Sequence, residues 1–348
     1  MSSKGLILLT GLNGYIGGRT IEALLEAGYS VRGTVRSRSS AQPTLDALSR
    51  FGDMLSVVEI PDTSVPGAFD DAVSGVDGIA HLAQLVAASF GDDPLTVVEQ
   101  TTQSVTGILE SAVKAGTVKS VVLMSSATAV FYPTEGPHVY TEEDWSDAWV
   151  EVLKALGKDA PPGVPYMSSK VLGERAFWKF REERKPGFTM TAINPFFVSG
   201  SPVAPWPSAD KIVFSCKYIY DIMNGGELVG PAPDWDWWVD VRDVARLFVY
   251  GFEHAGEADG ERYLLSTNWG HPQAMSDILR PAYPQLEIRE GEPGKGYLPG
   301  WKAPPEIVRD MDGSKALRAL GGEYVTFEMS LLDIAKSFEP LLPSLNKP

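Results

Sequence analysis

Short apolar runs alternate with amphipathic segments through the first half of the chain. The runs have the length of β-strands, and the segments repeat apolar positions at the helical period. The pattern predicts strands at 5–10, 30–35, 54–60, 76–82, 118–125 and 188–194. It predicts helices at 15–27, 43–51, 95–115 and 164–184. This alternation indicates an α/β fold, a Rossmann-type doubly wound parallel sheet with helices on both faces.

The pattern changes after Asn194. Residues 195–238 are rich in proline and include four tryptophans, with one predicted helix at 210–223. A predicted helix at 239–254 and a strand at 262–266 follow, and this strand can rejoin the sheet. We therefore expect two interleaved domains. The Rossmann domain covers 1–194 and is rejoined by roughly 236–268, and a smaller, mostly helical substrate-binding domain combines 195–235 with roughly 269–348.

Composition narrows the possible partners. The formal charge of −15 argues against nucleic acid or an anionic membrane as a partner. The single cysteine excludes an internal disulfide, and the four scattered histidines show no metal-ligand spacing, so no metal is expected. No apolar run approaches ~20 residues and no leader-like segment opens the chain, so we expect a cytoplasmic protein.

Three glycines, Gly11, Gly14 and Gly17, stand where the first predicted strand meets the first predicted helix. In a βαβ unit the first allows a tight turn, the second lets a diphosphate approach the backbone, and the third lets helix and strand pack closely. The pyrophosphate then meets the amides and the positive dipole at the helix start. The alternative is an ordinary glycine-rich turn, and the flanking elements favour dinucleotide binding.

The end of the second predicted strand, residues 31–38, carries arginines and no acid. NAD sites of this kind usually place Asp or Glu there to bond the ribose 2′-hydroxyl, whereas an arginine fork suits a 2′-phosphate. We therefore predict NADP(H) as the cofactor, with Arg36 on the phosphate and Arg38 or Ser37 assisting. A solvated basic loop is the alternative.

Tyr166 and Lys170 are four residues apart on a predicted helix and so share one of its faces. A tyrosine pKa of ~10 is too high for proton exchange at neutral pH, and a nearby ammonium lowers it. Such a pair often occurs by chance on a surface. It gains weight from Ser126, at the end of the fifth predicted strand, because a hydroxyl there can bond a substrate carbonyl oxygen.

With these residues in place, the chain resembles the extended short-chain dehydrogenase/reductase family. Residues 10–17 match its Thr-Gly-x-x-Gly-x-x-Gly motif, and Ser126, Tyr166 and Lys170 match its triad. The closer resemblance is to the dihydroflavonol-reductase-like branch, especially fungal and yeast NADPH-dependent aldehyde and ketone reductases. The branch-level matches are residues 31–36, 81–83, 143–146, 194–195 and 239–244.

The resemblance implies a role for each matching residue. Tyr166 donates a proton to the carbonyl oxygen, Ser126 polarises that oxygen, and Lys170 lowers the tyrosine pKa and bonds the nicotinamide ribose. The branch pattern places the catalytic serine directly before Ala127, which selects Ser126 over Ser125. Asp62 would bond the adenine amino group, with a solvated turn residue as the alternative. The remaining cofactor contacts are assigned to Asn13, Tyr15 and Ile16 among the glycines, to Ala83, and to Pro195, Phe197 and Val198.

The tryptophan-bearing loops suggest an apolar substrate. Trp206, Trp235 and Trp238, with Trp237 beside them, are predicted to line a pocket next to Ser126 and Tyr166; simple packing of the small domain is the alternative. The predicted function is reduction of a hydrophobic ketone or aldehyde to an alcohol by a monomer or homodimer. A nucleotide-sugar epimerase or dehydratase and a non-catalytic NADP-binding regulator stay open as alternatives.

Overall fold

The computed structural model describes residues 3–83, 94–230, 236–266, 268–306 and 309–345. The strands are β1 (Leu6–Thr10), β2 (Ser30–Val35), β3 (Leu55–Glu59), β4 (Gly78–His81), β5 (Ser120–Met124), β6 (His138–Tyr140), β7 (Thr189–Pro195), β8 (Phe197–Ser199), β9 (Trp237–Asp240), β10 (Arg262–Leu265), β11 (Asn268–Trp269) and β12 (Arg309–Met311). The α-helices are α1 (Tyr15–Glu26), α2 (Gln42–Ala47), α3 (Pro94–Ala115), α4 (Asp147–Leu156), α5 (Val164–Arg184), α6 (Phe214–Met223), α7 (Val241–Glu253), α8 (Ala255–Ala258), α9 (Pro272–Ala282), α10 (Ser314–Ala319) and α11 (Phe327–Phe338).

Among the described strands, seven form one large sheet in the order β3-β2-β1-β4-β5-β7-β10. Every neighbouring pair in it is parallel. This architecture confirms the predicted doubly wound sheet. The strand order reverses between β1 and β4, and such a reversal opens a crevice at the carboxyl ends of the strands where ligands bind. Thr10 pairs with both Thr34 and His81, so the loops after β1, β2 and β4 meet at this edge.

The inner strands are apolar because helices cover both of their faces. All residues of β4 and β5 are buried. On one face of the sheet, an apolar cluster joins Leu24 of α1 to Phe248 of α7. On the other face, a second cluster joins Leu109 of α3 to Phe177 of α5. These two layers hold the sheet, and therefore its carboxyl edge, in a fixed position.

A third apolar cluster lies between α6, α9 and α11 and is called here the α6–α9–α11 cluster. The described strands also form two small sheets, one of β8, β9 and β11 and the other of β6 and β12. The proposed division into two interleaved domains stays a prediction. Within the described ranges, no helix is both long enough and apolar enough to cross a bilayer. Those ranges also hold no group of three or more His, Cys, Asp or Glu side chains placed to bind a metal.

Several predicted elements differ from the observed ones at their ends. The helix predicted at 43–51 ends at Ala47, and a 3₁₀ turn follows in which Gly52 has a φ of 52°. The helix predicted from residue 210 begins at Phe214, because Val213 is extended. The helix predicted from residue 239 begins at Val241, because the Asp240 carboxylate accepts a hydrogen bond from the backbone N–H of Arg242 and so caps α7.

Candidate active site

The glycine turn after β1 has the geometry that its sequence predicts. Gly11 has a φ of 84°, and the Gly14 N–H donates to the Gly11 carbonyl oxygen at 3.0 Å, which closes the turn before α1. A Cβ on residue 17 would lie 2.1 Å from that same oxygen. A side chain is therefore excluded at position 17 and strained at position 11. Asn13 and Gly14 are exposed at the tip of the turn.

Thr10 joins this turn to the end of β4. Its hydroxyl oxygen accepts hydrogen bonds from the backbone N–H groups of Leu82 at 2.9 Å and Ala83 at 2.8 Å. The hydroxyl proton is then left to donate to Nδ1 of His81 at 3.0 Å. Ala83 consequently lies 3.5 Å from the position that a Cβ on Gly11 would take. The predicted cofactor residues Gly11 and Ala83 are thus neighbours.

The two arginines after β2 differ in their surroundings. Arg36 is exposed and makes no hydrogen bond or ion pair with any residue that the structure describes. Arg38 donates from its guanidinium to the Val57 carbonyl oxygen at 3.0 Å and from its backbone N–H to the Glu59 carboxylate at 2.8 Å. The Arg36 guanidinium is therefore free of partners among the described residues, whereas that of Arg38 is anchored by one of its N–H groups, and its assisting role stays a prediction.

Asp62 lies just beyond β3 and is exposed. One oxygen of its carboxylate accepts hydrogen bonds from the Ser64 hydroxyl at 2.6 Å and the Ser64 N–H at 2.9 Å. These two bonds hold the pKa of Asp62 below its usual range. The carboxylate therefore stabilises its own turn, and its contact with adenine stays a prediction.

The structure brings Ser126, Tyr166 and Lys170 together. Ser126 follows β5 and is buried, and its hydroxyl lies close enough to the Tyr166 phenol on α5 to lower the pKa of that phenol. The Lys170 Nζ lies 5.6 Å from the centroid of the Tyr166 ring. One helix face therefore presents the phenol and the ammonium to the serine at the carboxyl edge of the sheet.

Burial decides the protonation of this group. It raises the pKa of Tyr166, and the hydrogen bond with Ser126 only partly offsets the rise. Burial also lowers the pKa of Lys170 to about 8, against the opposing charge of Glu174. The net pKa of Tyr166 is raised rather than lowered, because desolvation of the phenolate is the largest effect, and a lowering contribution from Lys170 stays a prediction. Tyr166 therefore carries its proton at neutral pH and can donate it.

The two adjacent serines have different partners. The Ser125 hydroxyl donates to the buried Glu174 carboxylate at 2.5 Å, whereas the Ser126 hydroxyl faces Tyr166 and accepts from the Thr128 N–H at 3.2 Å. Only Ser126 is thus placed to act together with Tyr166. This geometry supports the choice between the serines, and the catalytic role itself stays a prediction.

The remaining predicted cofactor residues lie at two ends of the site. Pro195 ends β7, and Phe197 and Val198 begin β8, directly beyond the carboxyl edge of the sheet. Tyr15 begins α1, but its hydroxyl donates to the Gly200 carbonyl oxygen at 2.6 Å, so its side chain points toward the segment after β8. Ile16 is partly buried against the core on the α1 face.

The chain is similar to known proteins in both sequence and structure. A family described as the NAD dependent epimerase/dehydratase family matches residues 7–266. The chain belongs to this family. An uncharacterized oxidoreductase of Schizosaccharomyces pombe is 33% identical over 340 residues, 97% of each chain. The ketoreductase azaE of Aspergillus niger is 32% identical over 326 residues, 90% of this chain and 92% of the relative.

A solved structure agrees with these relatives. The NADPH complex of yeast methylglyoxal/isovaleraldehyde reductase Gre2 has a TM-score of 0.82 and 26% identity, covering 96% of this chain and 98% of that chain. The resemblance to extended short-chain dehydrogenase/reductases is thereby confirmed. This member of the epimerase/dehydratase family is an NAD(P)-dependent oxidoreductase.

The residues of this family member fit a dinucleotide. The absence of a side chain at Gly17 lets α1 pack directly against the Gly11 carbonyl, and exposed Gly14 leaves the backbone at the tip of the turn accessible to a diphosphate. The free guanidinium of Arg36 stands at the end of β2, where the family reads the adenosine ribose. Lys170 is buried beside Tyr166.

The two described tryptophans that were predicted to line the pocket, Trp206 and Trp238, are buried in the protein core. Trp206 is 9% exposed and Trp238 is 1% exposed, and both belong to the α6–α9–α11 cluster. The Trp206 indole N–H donates to the Ser337 hydroxyl at 3.0 Å. Trp235 lies outside the described residues. Trp206 and Trp238 are therefore packed inside the small domain, as the alternative interpretation of the sequence expected. A pocket role for either ring stays a prediction.

Sequence reasoning missed two sets of residues near the site. One is the buried pair formed by Glu174 and Arg262 behind Ser125, for which the four-residue spacing Tyr166–Lys170–Glu174 was an available signal. The other is a line of aromatic rings outside the tryptophan loops. It runs through Phe131, Phe196, Phe197 and Phe214, with neighbouring centroids 6.0, 4.9 and 6.4 Å apart.

Proposed function

We propose that this oxidoreductase is an NADPH-dependent carbonyl reductase that converts a hydrophobic ketone or aldehyde into an alcohol. The observation that carries the proposal is the closeness of two hydroxyls at the carboxyl edge of the sheet, since Ser126 lies near enough to Tyr166 to lower the pKa of its phenol. Two hydroxyls directed at one point suit a single carbonyl oxygen. The relationship to the ketoreductase azaE and to Gre2 supports the same chemistry.

The proposed cofactor is NADPH rather than NADH. The Arg36 guanidinium is exposed and free of partners among the described residues, and it can form a charged hydrogen bond with a 2′-phosphate. No acid lies between Val31 and Arg38 to repel that phosphate. Gre2, which resembles this chain over nearly its whole length, was solved with NADPH.

The reaction needs a proton donor, an oxygen ligand and a hydride. When bound, NADPH supplies the hydride that becomes the new C–H bond of the alcohol. The Tyr166 hydroxyl gives its proton to the carbonyl oxygen, which becomes the alcohol oxygen, and its raised pKa ensures that the proton is present. The Ser126 hydroxyl donates a hydrogen bond to the same oxygen and stabilises the negative charge that develops on it. The Lys170 ammonium stabilises the resulting phenolate until solvent returns a proton.

We place the apolar body of the substrate against the line of aromatic rings rather than the buried tryptophans. Phe197 lies directly beyond β7, whose Ile193 pairs with Met124 of β5, the strand that leads to Ser126. Phe197 is partly buried, and Phe214, 6.4 Å away, is 65% exposed. An exposed phenylalanine beside a partly buried one offers an aryl or alkyl group a surface out of water.

The test is an NADPH-oxidation screen with aryl ketones, aldehydes, diketones and flavanonols, together with a separate chromatographic assay for epimerisation of UDP-glucose, which consumes no NADPH. We expect alcohol to form in equal amount to the NADPH consumed, with apolar carbonyl compounds preferred. Tyr166→Phe should bind NADPH but lose turnover, because only the donated proton is missing. Turnover of UDP-glucose alone would favour an epimerase, and NADPH binding without any turnover would favour a regulator.

A further inference from the structure

Glu174 on α5 has a carboxylate with an unusual number of partners in the protein interior. The residue is 1% exposed. Its carboxylate accepts hydrogen bonds from the Ser125 hydroxyl at 2.5 Å, the Asn194 amide at 2.7 Å and the Arg262 Nε at 2.6 Å. The indole N–H of Trp178 donates to it at 3.2 Å. A carboxylate with this many donors has one position available to it.

Arg262, its ion-pair partner, is held just as firmly. Arg262 is 8% exposed and donates from Nη1 to the carbonyl oxygens of Glu142 at 2.6 Å and Asp144 at 2.7 Å. Its guanidinium also lies 3.9 Å from the ring centroid of Trp145. The guanidinium of Arg175 lies 3.7 Å from the same centroid. The charge that faces Glu174 is therefore fixed by three contacts from the segment between β6 and α4.

This buried pair reaches the site through two routes. Glu174 lies one helical turn beyond Lys170 and two turns beyond Tyr166, on the same face of α5. The second route runs through Asn194, whose amide donates both to Glu174 and to the backbone carbonyl oxygen of Ser126 at 3.1 Å. Ser125 and Ser126 are adjacent, so Glu174 holds the turn after β5 at two points.

We propose that Glu174 is a positioning residue of the reductase site: its carboxylate fixes the turn that presents Ser126, and its negative charge stands behind Lys170. This inference rests on the proposed function, because a positioning role has meaning only where Ser126 and Lys170 act. A buried ion pair adds little stability compared with apolar residues of the same volume. Its contacts with the turn and its place beside Lys170 assign it a role in the site.

The charge of Glu174 has a measurable consequence at Lys170. The titratable groups that the structure places around Lys170 are Tyr166 and Glu174 on α5 and His81 at the end of β4. From α3, uncharged Thr101 and Val105 face Gly173. Burial lowers the pKa of both Lys170 and His81, so His81 is neutral at pH 7, and Glu174 supplies the carboxylate that opposes the effect on Lys170.

The experiment compares Glu174→Gln with Glu183→Gln, the same change at an exposed position on the same helix. The first measurement uses the cofactor-free protein. Competitive acetylation across a pH series, read by mass spectrometry, gives the pKa of Lys170. We expect Glu174→Gln to lower that pKa by about one pH unit, because the carboxylate whose charge raises it is gone. Glu183→Gln should leave it unchanged.

The second measurement is the pH dependence of turnover with NADPH and an apolar ketone. For Glu174→Gln we expect kcat to fall by about tenfold or more at neutral pH, with the alkaline limb of the profile moved to lower pH, while the Kd for NADPH changes by less than about threefold. An unchanged Lys170 pKa, together with a kcat profile that keeps its shape, would show that Glu174 serves folding alone and would overturn the proposal.

A second variant distinguishes a loss of folding in Glu174→Gln from these outcomes. Glu174→Gln leaves Arg262 as an unpaired buried charge, whereas the double variant Glu174→Gln/Arg262→Met removes both charges together. The double variant should show the same lowered Lys170 pKa and the same loss of kcat. Failure of the proposed function would look different: the wild-type protein would reduce no carbonyl compound, while the acetylation series would still report the effect of Glu174 on Lys170.

Discussion

The Ser125 hydroxyl donates a hydrogen bond to the Glu174 carboxylate at 2.5 Å, and this contact separates the roles of two adjacent serines. Ser125 is turned toward a buried anion, so its neighbour Ser126 is left to face Tyr166. Because successive side chains of an extended strand point to opposite sides, one serine is directed to the core and the other to the site.

Replacing each serine by alanine should therefore have different effects. We expect Ser126→Ala to lower kcat by about tenfold or more, since it removes a donor to the developing oxyanion. Ser125→Ala should lower the free energy of unfolding by about 1–3 kcal/mol, because it takes one donor from a buried carboxylate, and should lower kcat by less. Denaturant unfolding and steady-state kinetics on both variants check this. A larger loss of kcat in Ser125→Ala than in Ser126→Ala would contradict the assignment.

Cofactor preference should depend on Arg36. A charged hydrogen bond from its guanidinium to the 2′-phosphate contributes roughly 1.5–3 kcal/mol, so Arg36→Glu should raise the KM for NADPH by about tenfold or more and that for NADH far less. Lys336→Glu changes the same charge at an exposed position on α11 and serves as the control. An NADPH/NADH ratio that does not change in Arg36→Glu would remove Arg36 from the cofactor site.

The parts of this site that sequence could predict are those carried by local rules. Gly11 and Gly17 need no contact information, because the turn itself forbids a side chain. Tyr166 and Lys170 share a helix face by spacing alone. Glu174 shares that face too, but a glutamate on a helix is usually solvated, and only the tertiary pairing with Arg262, 88 positions further along the chain, buries it.

The positions of the tryptophans could not be predicted from the sequence. Composition located an aromatic concentration after Asn194, but burial of Trp206 and Trp238 depends on α9 and α11, two helices that the sequence pattern did not predict. The pairing of β6 with β12 could likewise not be predicted, because each strand has three residues and the two strands are far apart in sequence. The large sheet needed no such information, since its inner strands are short, largely apolar and fully buried.

Stability should fall in mild acid because of His81. The Thr10 hydroxyl oxygen already accepts two N–H groups, so its proton goes to Nδ1 and the neutral ring carries its proton on Nε2. Burial, with a smaller contribution from the charge of Lys170, lowers the pKa of His81 from 6.5 to about 3. Between these values the unfolded chain binds a proton that the folded chain does not. The contribution is therefore complete above pH 6.5 and is lost as pH falls toward 3.

At pH 5 the difference amounts to about 2 kcal/mol, from 1.36 kcal/mol for each pKa unit. Wild-type protein should lose about that much more of its free energy of unfolding between pH 7 and pH 5 than His81→Gln does, whatever the stability of the variant at pH 7. Urea unfolding at the two pH values measures the difference. The exposed His254 provides the control, and His254→Gln should keep the wild-type dependence. Equal losses in wild type and His81→Gln would show that His81 titrates normally.

The aromatic residues should divide into those that hold the fold and those that meet the substrate. Trp238 is 1% exposed, and its removal leaves a cavity in the α6–α9–α11 cluster, so Trp238→Ala should lower the free energy of unfolding by about 3–5 kcal/mol. Phe214 is 65% exposed and packs against Phe197, so Phe214→Ala should change stability by less than about 0.5 kcal/mol.

Substrate preference should change more in Phe214→Ala than in Trp238→Ala, which is the reverse of the order expected for stability. Burying one aryl ring against Phe197 and Phe214 favours binding by ~1.5–3 kcal/mol, so Phe214→Ala should lower kcat/KM for an aryl ketone by about tenfold and leave that for a small aldehyde nearly unchanged. The KM for NADPH should not move, because Phe214 is not among the predicted cofactor residues. Met329→Ala, at an exposed apolar residue of α11 that is 52% exposed, controls for loss of surface apolar area. If Phe214→Ala treats both substrates as wild type does, the apolar part of the substrate binds elsewhere. If Trp238→Ala instead keeps its stability and changes the substrate preference, the tryptophan pocket predicted from sequence is the correct one.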